Sequence, residues 1–209
     1  VKYAPVRDLS QLPMDGGWTY GEVLDKAAAG DFRANMLAGE YWMGLYYLNR
    51  GDLPLACLEH MQHFFRDAAT ASGHPAPKLM MTDPYGIFGI FKAQPMQPEH
   101  AEWLAACRKL AEKGDMDAVT ALYTVTDLPE AELRRYLAPL EKKAASGDQD
   151  ALAQLAFIKV DWLKENPANV IETLKQYRKN AKPVLLARIG ELALALDGKD
   201  GRGWRDTAI

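Results

Sequence analysis

Cysteine is scarce, with 2 in 209 residues. Two cysteines cannot build a disulfide framework. Cys57 in "LACLEH" and Cys107 in "LAACRK" both sit among apolar neighbours, so each is expected to be a small buried side chain. A single bridge between them stays open as an alternative in an oxidising compartment. No apolar run approaches the ~18 residues that a bilayer crossing needs. No stripe of lysine and arginine stands out, and the formal net charge is −3. The electrostatic footprint of a nucleic-acid binder is therefore missing, and no nucleic-acid partner is expected. Chemistry-bearing motifs are missing too: there is no Gly-x-Ser-x-Gly elbow, phosphate-cradling loop or dinucleotide fingerprint. "GIFG" at Gly86–Gly89 has neither a strand nor a basic helix start around it. Carboxylates are plentiful, but their spacing singles out no acid/base pair. The expectation is a noncatalytic protein with no cofactor and no metal.

Strand-like alternation is nearly absent as well, and what fills the chain is helical periodicity. The apolar spacing predicts helices at about Tyr20–Ala29, Phe32–Asn49, Pro54–Ala71, Pro98–Lys113, Met116–Thr124, Pro129–Ser146, Gln149–Lys164, Pro167–Asn180 and Pro183–Leu196. Proline falls at or near the first turn of five of them, where its missing N–H costs nothing. Asp52, Asp127, Asp148 and Asn166 lie where an N-cap oxygen is wanted. The fold class is all-α. Residues 1–19 read as an extended N-terminal segment, and 20–209 as a single helical-repeat domain with an irregular insertion at about 80–98. The chain opens on Val1 with "VKYAPVRDLSQLPMDGG", which suits the tail left by signal-peptide removal. The expected location is the periplasm or envelope, with the cytoplasm as the alternative.

One pattern is written three times: Ala27-x-x-Gly30-Asp31-x-x-Ala34, Ala111-x-x-Gly114-Asp115-x-x-Ala118 and Ala144-x-x-Gly147-Asp148-x-x-Ala151. The glycine follows a helical run and can take the left-handed conformation that ends it, while the Asp beside it can cap the next helix. The flanking alanines let two helices approach closely, and an apolar residue follows four later at Ala38, Leu122 and Leu155. Such spacing predicts stacked helical hairpins, each unable to bury its apolar face without the next.

These residues resemble the Sel-one-like repeats, a branch of the tetratricopeptide superfamily. The first unit supplies Ala27, Gly30, Ala34, Gly39, Tyr41 and Gly51 with "DLPLA"; the next supplies Ala111, Gly114, Ala118, Leu122, Tyr123 and "DLPEA"; the last full copy supplies Ala144, Gly147, Ala151 and Leu155. A worn copy follows at Ala181, Leu185, Ile189 and Gly190. Gly114 and Gly147 are 33 residues apart but Gly30 and Gly114 are 84 apart, room for a degenerate unit around Gly73 that carries the insertion. The Leu-Gly pair is absent from the middle copies. The resemblance implies a right-handed α-solenoid of about four helix-turn-helix hairpins that works as a protein-binding scaffold. Similar proteins are adaptors, many of them bacterial and envelope-associated, and some short ones neutralise the effector toxins of rival bacteria. An immunity protein is thus the specific expectation and an envelope-associated adaptor the alternative.

Three places compete for function. In "CLEHMQH", Cys57, His60 and His63 recur every three residues beside Glu59. One helix offers an ion at best two good ligands, the His-Glu-x-x-His spacing is absent, and nothing anchors His74 or His100 nearby. They read as helix-surface histidines, with a metal-dependent enzyme as the outlying alternative. "MMTDPYGIFGIFKAQPMQP", Met80–Pro98, clusters Tyr85, Ile87, Phe88, Ile90 and Phe91. That composition either plugs the protein's own core or presents Tyr85, Phe88 and Phe91 to a partner. In the first repeat, Asn35, Trp42 and Tyr46 form a stripe beside the packing face of Ala34, Leu37, Tyr41, Leu45 and Leu48. The stripe either meets a neighbouring hairpin or faces a partner, where Trp and Tyr are typical hot-spot residues. The predicted partner-binding set is Asn35, Trp42, Tyr46, Tyr85, Phe88 and Phe91.

Overall fold

In a computed structural model of the chain, the described residues are 9–14, 17–48, 54–81 and 98–195. They form α1 (Tyr20–Ala28), α2 (Phe32–Leu48), α3 (Pro54–Ser72), α4 (Pro75–Met80), α5 (Pro98–Ala111), α6 (Met116–Val125), α7 (Glu130–Ala145), α8 (Gln149–Asp161), α9 (Pro167–Leu174) and α10 (Pro183–Ala195). Short 3₁₀ turns occupy Leu9–Gln11 and Lys175–Asn180. Among the described residues, extended pairing is limited to one isolated bridge, Pro13 to Thr19. All nine expected helices are present, and their ends match apart from the last turns of α8 and α9. The additional helix is α4. It escapes a sequence reading because it has six residues, two of them proline, and because His74 caps it in place of an Asp.

The three written joints are the same bend. Gly30, Gly114 and Gly147 have φ of 84°, 82° and 87°. Each glycine N–H donates to the carbonyl three residues back, Ala27, Ala111 or Ala144, at 2.9 Å. Each following Asp N–H reaches five back, to Lys26, Leu110 and Lys143 at 3.0, 3.1 and 3.3 Å. Those two bonds satisfy carbonyls that a helix end leaves open. The Asp side chain then accepts from the N–H three residues on, at Ala34 (2.8 Å), Ala118 (2.9 Å) and Ala151 (3.0 Å). All six flanking alanines are buried. Gly73 is also left-handed, at φ 65°, but there the His74 N–H donates to Ser72 Oγ at 3.1 Å, and His74 takes the capping role, its Nδ1 accepting from the Ala76 N–H at 3.2 Å.

The described residues group into two compact units. The N-terminal unit holds Leu9, Ser10 and Tyr20–Leu137, and the C-terminal unit holds Gln11–Thr19 and Ala138 onward. In the N-terminal unit α2 packs against α1 and α3, and α4 against α3, α5 and α6. Its core includes Val23, Met36, Leu37, Phe65, Leu79 and Leu122. In the C-terminal unit α8, α9 and α10 pack together around Ala153, Ile171, Leu174, Leu185 and Ile189.

Helix starts are tied by polar side chains within each unit. Arg33, second residue of α2, pairs with Asp117, second residue of α6. His74 Nε2 lies 3.2 Å from Asp115 Oδ2, and its ring packs on Phe32 with centroids 5.0 Å apart. Because Nδ1 is occupied as an acceptor, Nε2 carries the proton and donates to Asp115. Burial pushes Asp117 up, and the nearby Arg33 offsets this only in part. Burial also acts to raise Asp115, but His74, the Ala118 N–H and Arg33 outweigh it and hold that carboxyl below its ordinary range. In the C-terminal unit, Gln149 accepts from the Lys182 N–H at 2.5 Å and donates to the Asn180 carbonyl at 3.0 Å.

Cys57 and Cys107 are buried free thiols, and burial, with Asp115 nearby, pushes Cys107 up to about 12. The thiolate is the reactive form, so Cys107 should resist a thiol reagent in the native protein and react once it is unfolded. Mass-resolved labelling across a urea series reads this out. The connection after α8 carries the one described non-glycine residue at positive φ, Lys164 at 56°. Replacing it with glycine should stabilise the fold by about 0.5 kcal/mol, because relief of a left-handed side chain slightly exceeds the added unfolded-state entropy; a thermal melt measures the gain.

Candidate functional site

Apart from Arg33, Asn35 and Glu40, helix α2 is built of apolar and aromatic residues and glycine, and it lies between α1 and α3. Residues 34–39 are all buried, including Asn35 at 0% exposure. The Asn35 amide donates to the carbonyls of Ala27 at 3.2 Å and Asp31 at 3.0 Å. It ties α2 back onto the first joint. Asn35 therefore leaves the expected partner-facing set, since the helix period that groups it with Trp42 also turns it into the α1–α2 bend.

Beyond residue 39 the burial relaxes, and an aromatic group assembles from three helices. The Trp42 ring stacks on His60 of α3, with centroids 4.4 Å apart and planes at 25°. Tyr41 meets Trp42 edge-on at 6.0 Å and Tyr20 of α1 at 4.9 Å. Tyr20, Tyr41 and Trp42 are half-buried, and His60 is exposed. Leu24, one turn along α1 from Tyr20, is 36% exposed. Burial raises the Tyr20 hydroxyl, with the Trp42 indole opposing and Tyr41 adding to it; burial raises Tyr41 too, with Cys57 adding. Both phenols thus stay neutral at physiological pH. A surface of neutral rings with polar edges suits recognition, where aromatic side chains bury much area at low entropic cost.

Of the other expected positions, Tyr46 lies on α2 but its side chain is outside the described residues, as are Tyr85, Phe88 and Phe91. The histidine run does not converge. Cys57 is buried, His60 lies on Trp42, and His63 faces Asp67 on its own helix at 3.6 Å. Among the described residues no three His, Cys, Asp or Glu side chains are placed to hold a metal ion. His100 is buried, which lowers its pKa.

Tyr20, Tyr41 and His60 were absent from the predicted set. A usable signal existed for the first two. Tyr20 lies 10 residues before Gly30 and Tyr41 lies 11 after it, so a bend at Gly30 brings them opposite each other. His60 needed the α2–α3 register, which depends on Gly39 meeting Phe65. No protein-family model matches the chain, and no curated protein or solved structure matches it.

Proposed function

We propose that this chain is a noncatalytic scaffold that binds another protein, built as a right-handed α-solenoid of about four hairpins of the Sel-one-like kind. In its narrowest form it is an immunity protein that captures and neutralises a bacterial effector toxin on the envelope side of the cell. The observation that carries the reading is the aromatic patch of Tyr20, Tyr41, Trp42 and His60, offered by a hairpin whose joint is repeated along the chain. Repeated joints favour an extended binding surface over an enclosed reaction site. The resemblance to short toxin-neutralising repeat proteins supplies the narrower reading.

The test is copurification from the native cell with mass spectrometry, followed by a binding titration of the captured protein. Trp42→Ala should weaken that complex roughly tenfold, or about 1.4 kcal/mol, and His60→Ala should weaken it less. Circular dichroism melts run on the same samples separate lost affinity from lost fold. A folded Trp42→Ala variant with unchanged affinity removes the patch as the interface. Several weak partners in place of one tight one-to-one complex would favour an envelope-associated adaptor.

A further inference from the structure

We propose that His74 is a proton-operated latch on α4: neutral, it caps the helix; protonated, it keeps Asp115 and lets the first turn of α4 go. The latch follows from the sequence of that turn. Pro75 and Pro77 carry no N–H, so Ala76 supplies the one backbone donor among the first three residues of α4. Its partner is an imidazole, where each of the three repeated joints uses an Asp. The Ala76 N–H donates to His74 Nδ1 at 3.2 Å.

Both ring nitrogens of His74 are committed, since Nε2 lies 3.2 Å from Asp115 Oδ2. A neutral ring with its proton on Nε2 serves both bonds at once. An imidazolium cannot: both nitrogens are then donors, and Nδ1–H meets the Ala76 N–H head-on. The charges around the ring decide which bond survives. Asp115 and Asp117 act on it from the start of α6, and Arg33 of α2 shares those two carboxylates. Lys78 lies one turn along α4, α3 contributes the neutral Ser72 hydroxyl, and the Cys107 thiol of α5, near Asp115, is pushed up to about 12 and stays neutral. Burial acts to raise Asp115, but the His74 bond, the Ala118 N–H and Arg33 hold it low, so it stays charged across the range in which histidines titrate. A bond from an imidazolium to a charged carboxylate is about twice as strong as a neutral one. The ring therefore stays with Asp115, and the Ala76 amide is released. Opening uncovers Ala76 and Pro77, both buried where α4 packs against α3, α5 and α6.

Native-state hydrogen exchange on the full chain, followed from about pH 8 to about pH 5, tests this. After correction for the intrinsic rate, protection of the Ala76 amide should fall roughly tenfold on acidification. The Ala118 amide, capped by Asp115, should change less than about twofold. His74→Asn keeps a cap acceptor and a donor toward Asp115 but does not titrate, so its Ala76 protection should stay flat. Burial pushes Asp117 up, and a response that belongs to Asp117 survives in that variant. Nitrogen-15 shifts of the wild-type imidazole give a second reading that needs no variant. Nδ1 should be the bare nitrogen at the alkaline end, and its protonation should share a midpoint with the loss of Ala76 protection. Unchanged protection in the wild type, an equal fall in His74→Asn, an equal fall at Ala118, or a ring midpoint displaced from that of Ala76 would each overturn the proposal.

Discussion

Gly39→Ala should cost the protein about 2 kcal/mol, read as a lower urea midpoint at an unchanged slope. A Cβ at this position would sit 2.5, 2.7 and 2.9 Å from three carbon atoms of the Phe65 ring. Phe65 is fully buried in the contact between α2 and α3 and has nowhere to withdraw. Forcing an extra carbon into such a contact typically costs ~1–3 kcal/mol, while alanine's better helix propensity returns at most ~1 kcal/mol. Two companion variants isolate the cause. Phe65→Leu in the same chain should recover part of the loss. Gly44→Ala, on the same helix with nothing within 4 Å, should stabilise by about 0.5–1 kcal/mol. If Gly39→Ala instead stabilises as Gly44→Ala does, α2 and α3 do not approach through this glycine.

Valine at a joint glycine is the second large effect. Gly30→Val, Gly114→Val and Gly147→Val should each lose about 2 kcal/mol, because a β-branched residue strongly resists the left-handed region. The space around Gly30 and Gly147 is open, with no atom within 4 Å of a built Cβ. The penalty there is torsional, with no clash to relieve. Asparagine tolerates positive φ, so the Asn variants should lose less than half as much in the same thermal melts. A flat response across the three valine variants would show that the joints do not need left-handed glycine.

The helices and joints were legible because they are coded locally. Helical spacing fixed nine of the elements, and Ala-x-x-Gly-Asp-x-x-Ala already contains the chain stop, the cap and the close approach. Asn35 was misplaced by the same local logic. A helical wheel puts it beside Trp42, but its amide donates to the carbonyls of Asp31 and of Ala27, the latter eight residues away in sequence, and so turns inward. The aromatic patch depends on register between three helices, and His60 met Trp42 through a packing contact at Gly39 that no periodicity displays. Least visible was the membership of Gln11–Thr19 in the C-terminal unit. That association spans more than half the sequence, a distance that no local periodicity displays.

Each joint closes its glycine N–H, aspartate N–H and aspartate cap bonds within nine consecutive residues, 26–34, 110–118 and 143–151. Such a bend is a transferable part. Duplicating a segment that carries it would import a finished corner together with its helix, and only the residues that link one helix start to another, such as Arg33, His74 and Lys182, would need new counterparts. A chain of this kind can lengthen by copying and specialise afterwards, one side chain at a time.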